Sequence, residues 1–148
     1  MRSRQRVRRW LIVTGDVDES ALRSLPRGSG IILLGERPEL ARHLRLTSRA
    51  RKLAIVEEAS GRIARVHDLR ELRRALLART PMILLSPIHP TASHPGWLPI
   101  PRMRAAALAR LARRQLIALG GMDDTRFRRI APLGFQGWAG ISAWLLRT

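Results

Sequence analysis

Short apolar runs alternate with amphipathic segments along the whole chain, the pattern of parallel strands joined by helices. Trp10 to Thr14 reads as a first strand and Glu19 to Leu25 as a brief helix. Gly30 to Leu34 follows the turn-like Pro26-Arg27-Gly28-Ser29 as a second strand. Pro38, tolerated in a first turn, opens a helix to about Arg51. Leu53 to Glu57 and Ile63 to His67 are two further strands. Asp68 and Glu71 then have the spacing of a capping box, and Leu69, Leu72 and Leu76 share one helical face. Met82 to Ser86 is a strand, followed by a proline-rich loop from His89 to Pro101. Pro101 opens a helix with Met103, Ala107 and Leu111 expected inward. Leu116 to Leu119 and Trp138 to Gly140 complete the strands. Between them Asp123 or Asp124 caps a helix carrying Phe127 and Ile130, which Gly134 is suited to stop.

One interval breaks the rhythm. Only six residues separate Val56 from Ile63, whereas a parallel crossover with its helix takes at least about ten to twelve. The expected fold class is therefore α/β: a TIM-barrel-like (β/α)8 fold, shortened or incomplete, with about seven strands and the segment around strand 4 missing. Ser60-Gly61 suits a tight turn that would pair the flanking runs as a hairpin. The chain has 148 residues against roughly 250 for a complete barrel. A single barrel domain is expected over residues 10–148, behind a basic arm at 1–9.

Three of the strands stop in small, hydroxylated or glycine-rich residues. The first ends in Ser86-Pro87-Ile88-His89-Pro90-Thr91-Ala92-Ser93-His94-Pro95, the second in Gly120-Gly121-Met122 and the third in Ile141-Ser142. Glycine lets the backbone approach an anion closely, and exposed N–H groups at loops and helix starts supply donors. In (β/α)8 barrels the loops after strands seven and eight commonly form such a phosphate site, and the last two apolar runs have that order.

Charge changes the picture less than its size suggests. The formal net charge is +17, and Lys52 is the only lysine among 28 basic residues. Many arginines fall on polar faces of predicted helices, as Arg70, Arg73 and Arg74 or Arg110, Arg113 and Arg114 do, where solvation accounts for them. The arm with Arg2, Arg4, Arg6, Arg8 and Arg9 is the best candidate for contact with a polyanion such as nucleic acid. No nucleic-acid motif accompanies it. The absence of cysteine excludes disulfides, thiolate metal sites and cysteine nucleophiles. Apolar runs are strand-sized, and Trp10 to Val13 is too short for a secretory segment, so a cytoplasmic protein with no membrane partner is expected.

The string from Ser86 to Pro95, with Ile117-Ala-Leu-Gly-Gly-Met122 and Gly140-Ile-Ser-Ala143, resembles the thiamine-phosphate synthase and TenI family. Leu25-Pro-Arg-Gly-Ser-Gly30 and Val66-His-Asp-Leu-Arg-Glu-Leu72 are similar to segments of its TenI-like branch. The resemblance implies a (β/α)8 barrel. It also implies a function in thiamine biosynthesis: joining an aminopyrimidine diphosphate to a thiazole phosphate, with Mg2+ helping the diphosphate leave. The small-molecule ligand would be a phosphorylated thiazole or thiamine phosphate. By that resemblance Ser86, Thr91 and Ser93 belong to the phosphate loop, and Gly120, Gly121, Ile141 and Ser142 to the backbone cradle. His94 stands where the synthases commonly have lysine. His67 stands at the position of the proton-shuttling histidine of TenI thiazole tautomerases. On the residues alone, His67 equally reads as a strand cap bonded to neighbouring backbone.

The other half of the site departs from the family. Where synthases end strand two in a polar diphosphate clamp, this chain has Ile32-Leu33-Leu34-Gly35-Glu36, and a carboxylate there repels a diphosphate. Glu57-Glu58 stand in place of the Asn-Asp that ends strand three, so Glu58 is the one candidate Mg2+ ligand, without a second carboxylate after strand four. Synthase activity is therefore expected to be weak or lost. Tautomerase chemistry, which needs no diphosphate clamp, is the alternative, and a non-catalytic phosphate-binding or polyanion-binding protein is the third reading. With the segment around strand 4 missing, the barrel would be open, distorted or completed by a second copy in a homodimer. Trp97 is placed to stack on a flat heterocycle, whereas Trp138 and Trp144 read as core. Gly28-Ser29-Gly30 lacks the third glycine of a dinucleotide fingerprint, and no serine-nucleophile elbow is present.

Overall fold

The computed structural model describes residues 6–91, 94–112 and 115–144. It contains β1 (Arg9–Val13), α1 (Glu19–Ser24), β2 (Gly30–Leu33), α2 (Pro38–Arg51), β3 (Ala54–Glu57), β4 (Ile63–Val66) and α3 (Leu69–Leu77). These are followed by β5 (Met82–Leu85), α4 (Arg102–Ala112), β6 (Gln115–Leu119), α5 (Asp124–Ile130) and β7 (Gly137–Gly140). All seven strands are parallel and form one sheet in the order β3-β2-β1-β7-β6-β5-β4. This is the circular order of a (β/α)8 barrel with its fourth strand removed, a curled half-barrel flanked by helices. Among the described residues no helix is long and apolar enough to cross a membrane.

The expected hairpin at Ser60-Gly61 does not form. β3 and β4 are the two free edges of the sheet. A hairpin would reverse β4 and deny it the parallel pairing it makes with β5, where Ile63 to Val66 align with Met82 to Leu85. Instead the 3-10 turn Glu58–Ser60, ended by Gly61 in the left-handed region at φ 76°, carries the chain from one edge to the other. The short link works because it contains no helix.

Strand alternation divides the apolar residues between two cores. Trp10, Ile12, Ile32, Leu34, Ile63, Met82, Leu84, Ile117 and Ala139 fill the concave side. Leu11, Val13, Ile31, Leu33, Ile83, Leu85, Leu116 and Trp138 face the helices. Trp138 and Trp144 are core residues as expected, with parallel rings 4.9 Å apart. On α3, Leu72 is buried and Leu76 partly so, but Leu69 is substantially exposed. On α4 the expected inward face is wrong. Met103 and Leu111 are exposed, as is Ala107, and the buried positions are Ala105, Leu108, Ala109 and Ala112. The helix offers two apolar stripes, and the one rich in alanine packs inward because small side chains permit close approach.

A charged clasp spans the open side. Ile63 points into the concave core and Val66 away from it, so Arg65 has the inward register and reaches the mouth. Its Nε and Nη2 donate to Glu58 Oε2 and Oε1 at 2.7 and 2.9 Å, and Glu58 Oε1 also accepts from the Gly35 N–H at 3.0 Å. The carboxylate thereby ties the end of β2 and the turn after β3 to β4. Because Arg65 is half exposed, the pair is worth only about 1 kcal/mol or less. Glu58→Gln is expected to lower the melting temperature by about 2–4 °C, less at high salt. An unchanged melting curve would show that the turn alone holds the edges.

Candidate functional site

The carboxyl ends of the strands bring most of the expected site residues to one end of the molecule. β6 and β7 are parallel neighbours, with Leu119 opposite Ala139. Gly120-Gly121 and Ile141-Ser142 therefore leave the sheet side by side. Gly120 and Gly121 both have positive φ, at 105° and 58°. A Cβ on Gly121 would lie 2.6 Å from the Pro90 carbonyl oxygen, so this glycine lets the loop after β5 press onto the end of β6. The same loop extends the parallel pairing, since the Ile88 and His89 N–H groups donate to the Leu119 and Gly120 carbonyls at 3.0 and 3.1 Å. Arg126 donates to the Gly121 carbonyl and holds the glycine turn from the helix side.

Other residues of the loop fold back on it. Thr91 Oγ1 accepts from the His94 N–H at 3.1 Å, and the Trp97 N–H donates to the His94 carbonyl at 3.0 Å. Ser86 is buried, its N–H donating to the Val66 carbonyl. Ile141 is partly exposed at the mouth. Ser93 lies outside the described residues, as does the side chain of Ser142. The loop thus starts on the end of β6 and finishes over β4.

At β4 the loop meets His67. The Trp97 ring is edge-on to His67, with centroids 5.4 Å apart, and stacks on His94 at 4.1 Å. Glu71, in the first turn of α3, takes both the His67 N–H, at 2.7 Å, and the ring Nδ1, at 2.9 Å, on its Oε2. Asp68 caps the same helix by accepting from the Glu71 N–H at 2.8 Å. The Asp68 half of the expected capping box is therefore present, but the glutamate reaches past the cap to the His67 N–H and ring. A carboxylate on Nδ1 favours the proton at that nitrogen, so in the neutral ring Nε2 carries the lone pair.

His89 differs from its neighbours. Burial holds its pKa below the ordinary histidine value. The charges of Arg126 and Arg129 add to that effect, and Asp123 opposes it.

Among the described residues, those around Glu58 do not fit a magnesium site. Both oxygens of Glu58 are engaged by Arg65 and Gly35, and Glu57 accepts from Arg45 at 3.3 Å. Among the described residues no group of three or more His, Asp or Glu side chains is placed to hold a metal ion. Two cavities lie elsewhere. One of about 830 Å³ is bounded by α2 and the start of β3. Another, of about 900 Å³, lies beside the starts of β1 and β2.

Sequence reasoning missed Arg65 and the second role of Glu71. A His-x-x-x-Glu spacing across a helix start would have pointed to Glu71. An arginine at an inward strand position, two residues before the histidine, would have pointed to Arg65.

At the wall of the second cavity, Asp124 accepts from Arg9 Nε at 2.8 Å and from the Trp138 indole at 3.1 Å. The Arg9 hydrogen bond, helped by the indole, holds its pKa below the usual carboxylate range. A depressed carboxylate contributes stability above its unfolded pKa and loses it as pH falls through the folded value. Asp124→Asn is therefore expected to lower the melting temperature at pH 7, and the two melting curves should converge as pH falls through the lowered folded-state value of the carboxylate. A gap that persists in acid would assign the effect to packing.

No family model matches the sequence, and no curated protein matches it. Among solved structures the chain is similar to a thiamine phosphate pyrophosphorylase from Pyrococcus furiosus. The TM-score is 0.73 over 93% of this chain and 86% of that one, at 17% identity. At that identity the likeness establishes the fold: this chain is an α/β protein of the TIM-barrel-like architecture seen in that pyrophosphorylase.

Proposed function

We propose that this is a protein of thiamine-biosynthesis type that binds a thiazole phosphate at the carboxyl ends of its strands and isomerises the thiazole. The observation that carries the proposal is the His67–Glu71 pair, set at a strand end against the Trp97 ring. Glu71 keeps the proton on Nδ1, so Nε2 takes a proton from one ring-adjacent atom of the substrate and returns it to another. His67 ends the cycle in its starting state, and the reaction needs no metal ligand. Trp97 is 47% exposed, and a flat heterocycle could stack on it by taking the place that His94 now holds. The ends of β6 and β7, with the loop from Ser86 to His94, supply the phosphate half.

Coupling to an aminopyrimidine diphosphate is the less favoured activity. The end of β2 presents Glu36, a carboxylate that repels a diphosphate, and its Gly35 N–H is already bonded to Glu58. Incubation with both synthase substrates and Mg2+ is expected to give thiamine phosphate no faster than a heat-inactivated control. Efficient product formation would overturn this ranking. The direct test of the proposal is isomerisation of a thiazole phosphate followed by proton NMR, with binding measured separately by calorimetry. Binding without turnover would leave a phosphate-ligand carrier as the correct reading.

A further inference from the structure

The charges of this molecule are sorted by end. All eleven carboxylates lie at or just beyond the carboxyl ends of strands: Asp16, Asp18 and Glu19 after β1, Glu36 and Glu39 after β2, Glu57 and Glu58 at the end of β3, Asp68 and Glu71 after β4, and Asp123 and Asp124 after β6. The opposite end, where the chain enters the strands, is dominated by cations, and of the carboxylates only Asp124 reaches the cavity there. Arg6 and Arg8 precede β1, Arg27 precedes β2, Lys52 β3, Arg62 β4 and Arg79 β5.

Helix capping explains part of the pattern, since acids favour helix starts and bases helix ends. It does not explain Arg6, Arg8, Arg27 or Arg62, which belong to no helix. Three of these line the cavity of about 900 Å³, together with Arg9 and Arg128. Asp124 is the one carboxylate there, and it is taken by Arg9. Among the described residues no carboxylate forms an ion pair with Arg6, Arg8, Arg27 or Arg128. The recess is held firmly: the Trp138 N–H donates to the Arg8 carbonyl at 2.8 Å, and Gly137 has no side chain to obstruct that approach.

We propose that this amino-terminal end binds the sugar–phosphate backbone of a nucleic acid, independently of sequence, with Arg6, Arg8, Arg27 and Arg128 contacting phosphates. Guanidinium groups that make no salt bridge and converge on a recess match a chain of regularly spaced anions. The concave shape suits a strand and not a flat bilayer. Trp138 in the cavity wall is 2% exposed and hydrogen-bonded to Asp124, so it presents no free face for base stacking. This surface is at the opposite end from His67, so its occupancy is independent of the thiazole reading.

Fluorescence anisotropy with a labelled single-stranded RNA and a labelled DNA duplex of unrelated sequence tests this. Both should bind, with log Kd rising linearly with log salt at a slope of about 3–4. Arg6→Gln/Arg8→Gln/Arg27→Gln should weaken binding by more than tenfold and flatten the slope by about 2–3. The same positions changed to lysine should retain affinity. The control Arg42→Gln/Arg70→Gln/Arg73→Gln removes equal charge from helix surfaces and should lose less than threefold. Equal losses in the two glutamine triples would overturn the site. Salt-insensitive binding, or binding to anionic phosphatidylglycerol vesicles without binding to either nucleic acid, would overturn the partner.

Discussion

If the proposed isomerisation is this protein's activity, replacing His67 by alanine is expected to lower it about 10²–10⁴-fold, the usual contribution of a positioned acid–base group, and to leave affinity for the thiazole phosphate within a few fold. The separation follows from the geometry. His67 is set against the Trp97 ring, whereas the proposed phosphate half lies at the ends of β6 and β7, beyond β5 from His67. Glu71→Gln keeps the size of the side chain but removes the charge that selects the tautomer. It should cost about tenfold, with a changed pH profile of kcat. A histidine that only caps its strand behaves differently: His67→Ala would then move the melting temperature and leave the NMR time course of isomerisation untouched.

The second large effect is expected at the floor of the barrel. Trp10 is buried in the concave core, and its ring fills the space where Gly30 has no side chain; a Cβ on Gly30 would stand 2.3 Å from the ring. Trp10→Ala should cost about 3–5 kcal/mol, a large part of the roughly 5–15 kcal/mol that holds a domain together. Gly30→Ala overpacks the same space and should cost about 1–3 kcal/mol. The two changes share one volume, so their effects should not add: combined, they should cost measurably less than the sum of the single costs. Urea unfolding of the four proteins measures this, and strict additivity would show that the ring moves aside freely.

The fold was legible because parallel α/β architecture writes itself locally. Each strand is a short apolar run, and capping carboxylates stand where three of the helices start, Asp18, Asp68 and Asp123 accepting N–H groups there. Even the lost strand showed, since six residues cannot hold a crossover helix. What happened at that gap was not legible. A turn containing Gly61 is equally compatible with reversal and with crossing the seam, and only the parallel pairing of β4 with β5 decides between them. The inward face of α4 was misread for a related reason, because an alanine-rich helix carries two apolar stripes and its neighbours choose one. At the site, the shared position of Gly121 and Ile141 followed from strand order. The contacts among His67, Glu71 and Trp97 depend on how a thirty-residue separation closes in space, which spacing along the chain does not encode.

The unsealed side of the sheet has a consequence for solubility. Edge strands with unsatisfied peptide groups are templates for association, and they are usually protected by brevity and charge. Here both edges are four residues long. Ionised groups fringe them, Glu57 and Glu58 on one and Arg62 and Arg65 on the other. With a formal charge of +17 on every copy, long-range repulsion adds to that protection at low ionic strength. Precipitation should therefore begin when salt screens the repulsion, and earlier still when Arg65 is made apolar.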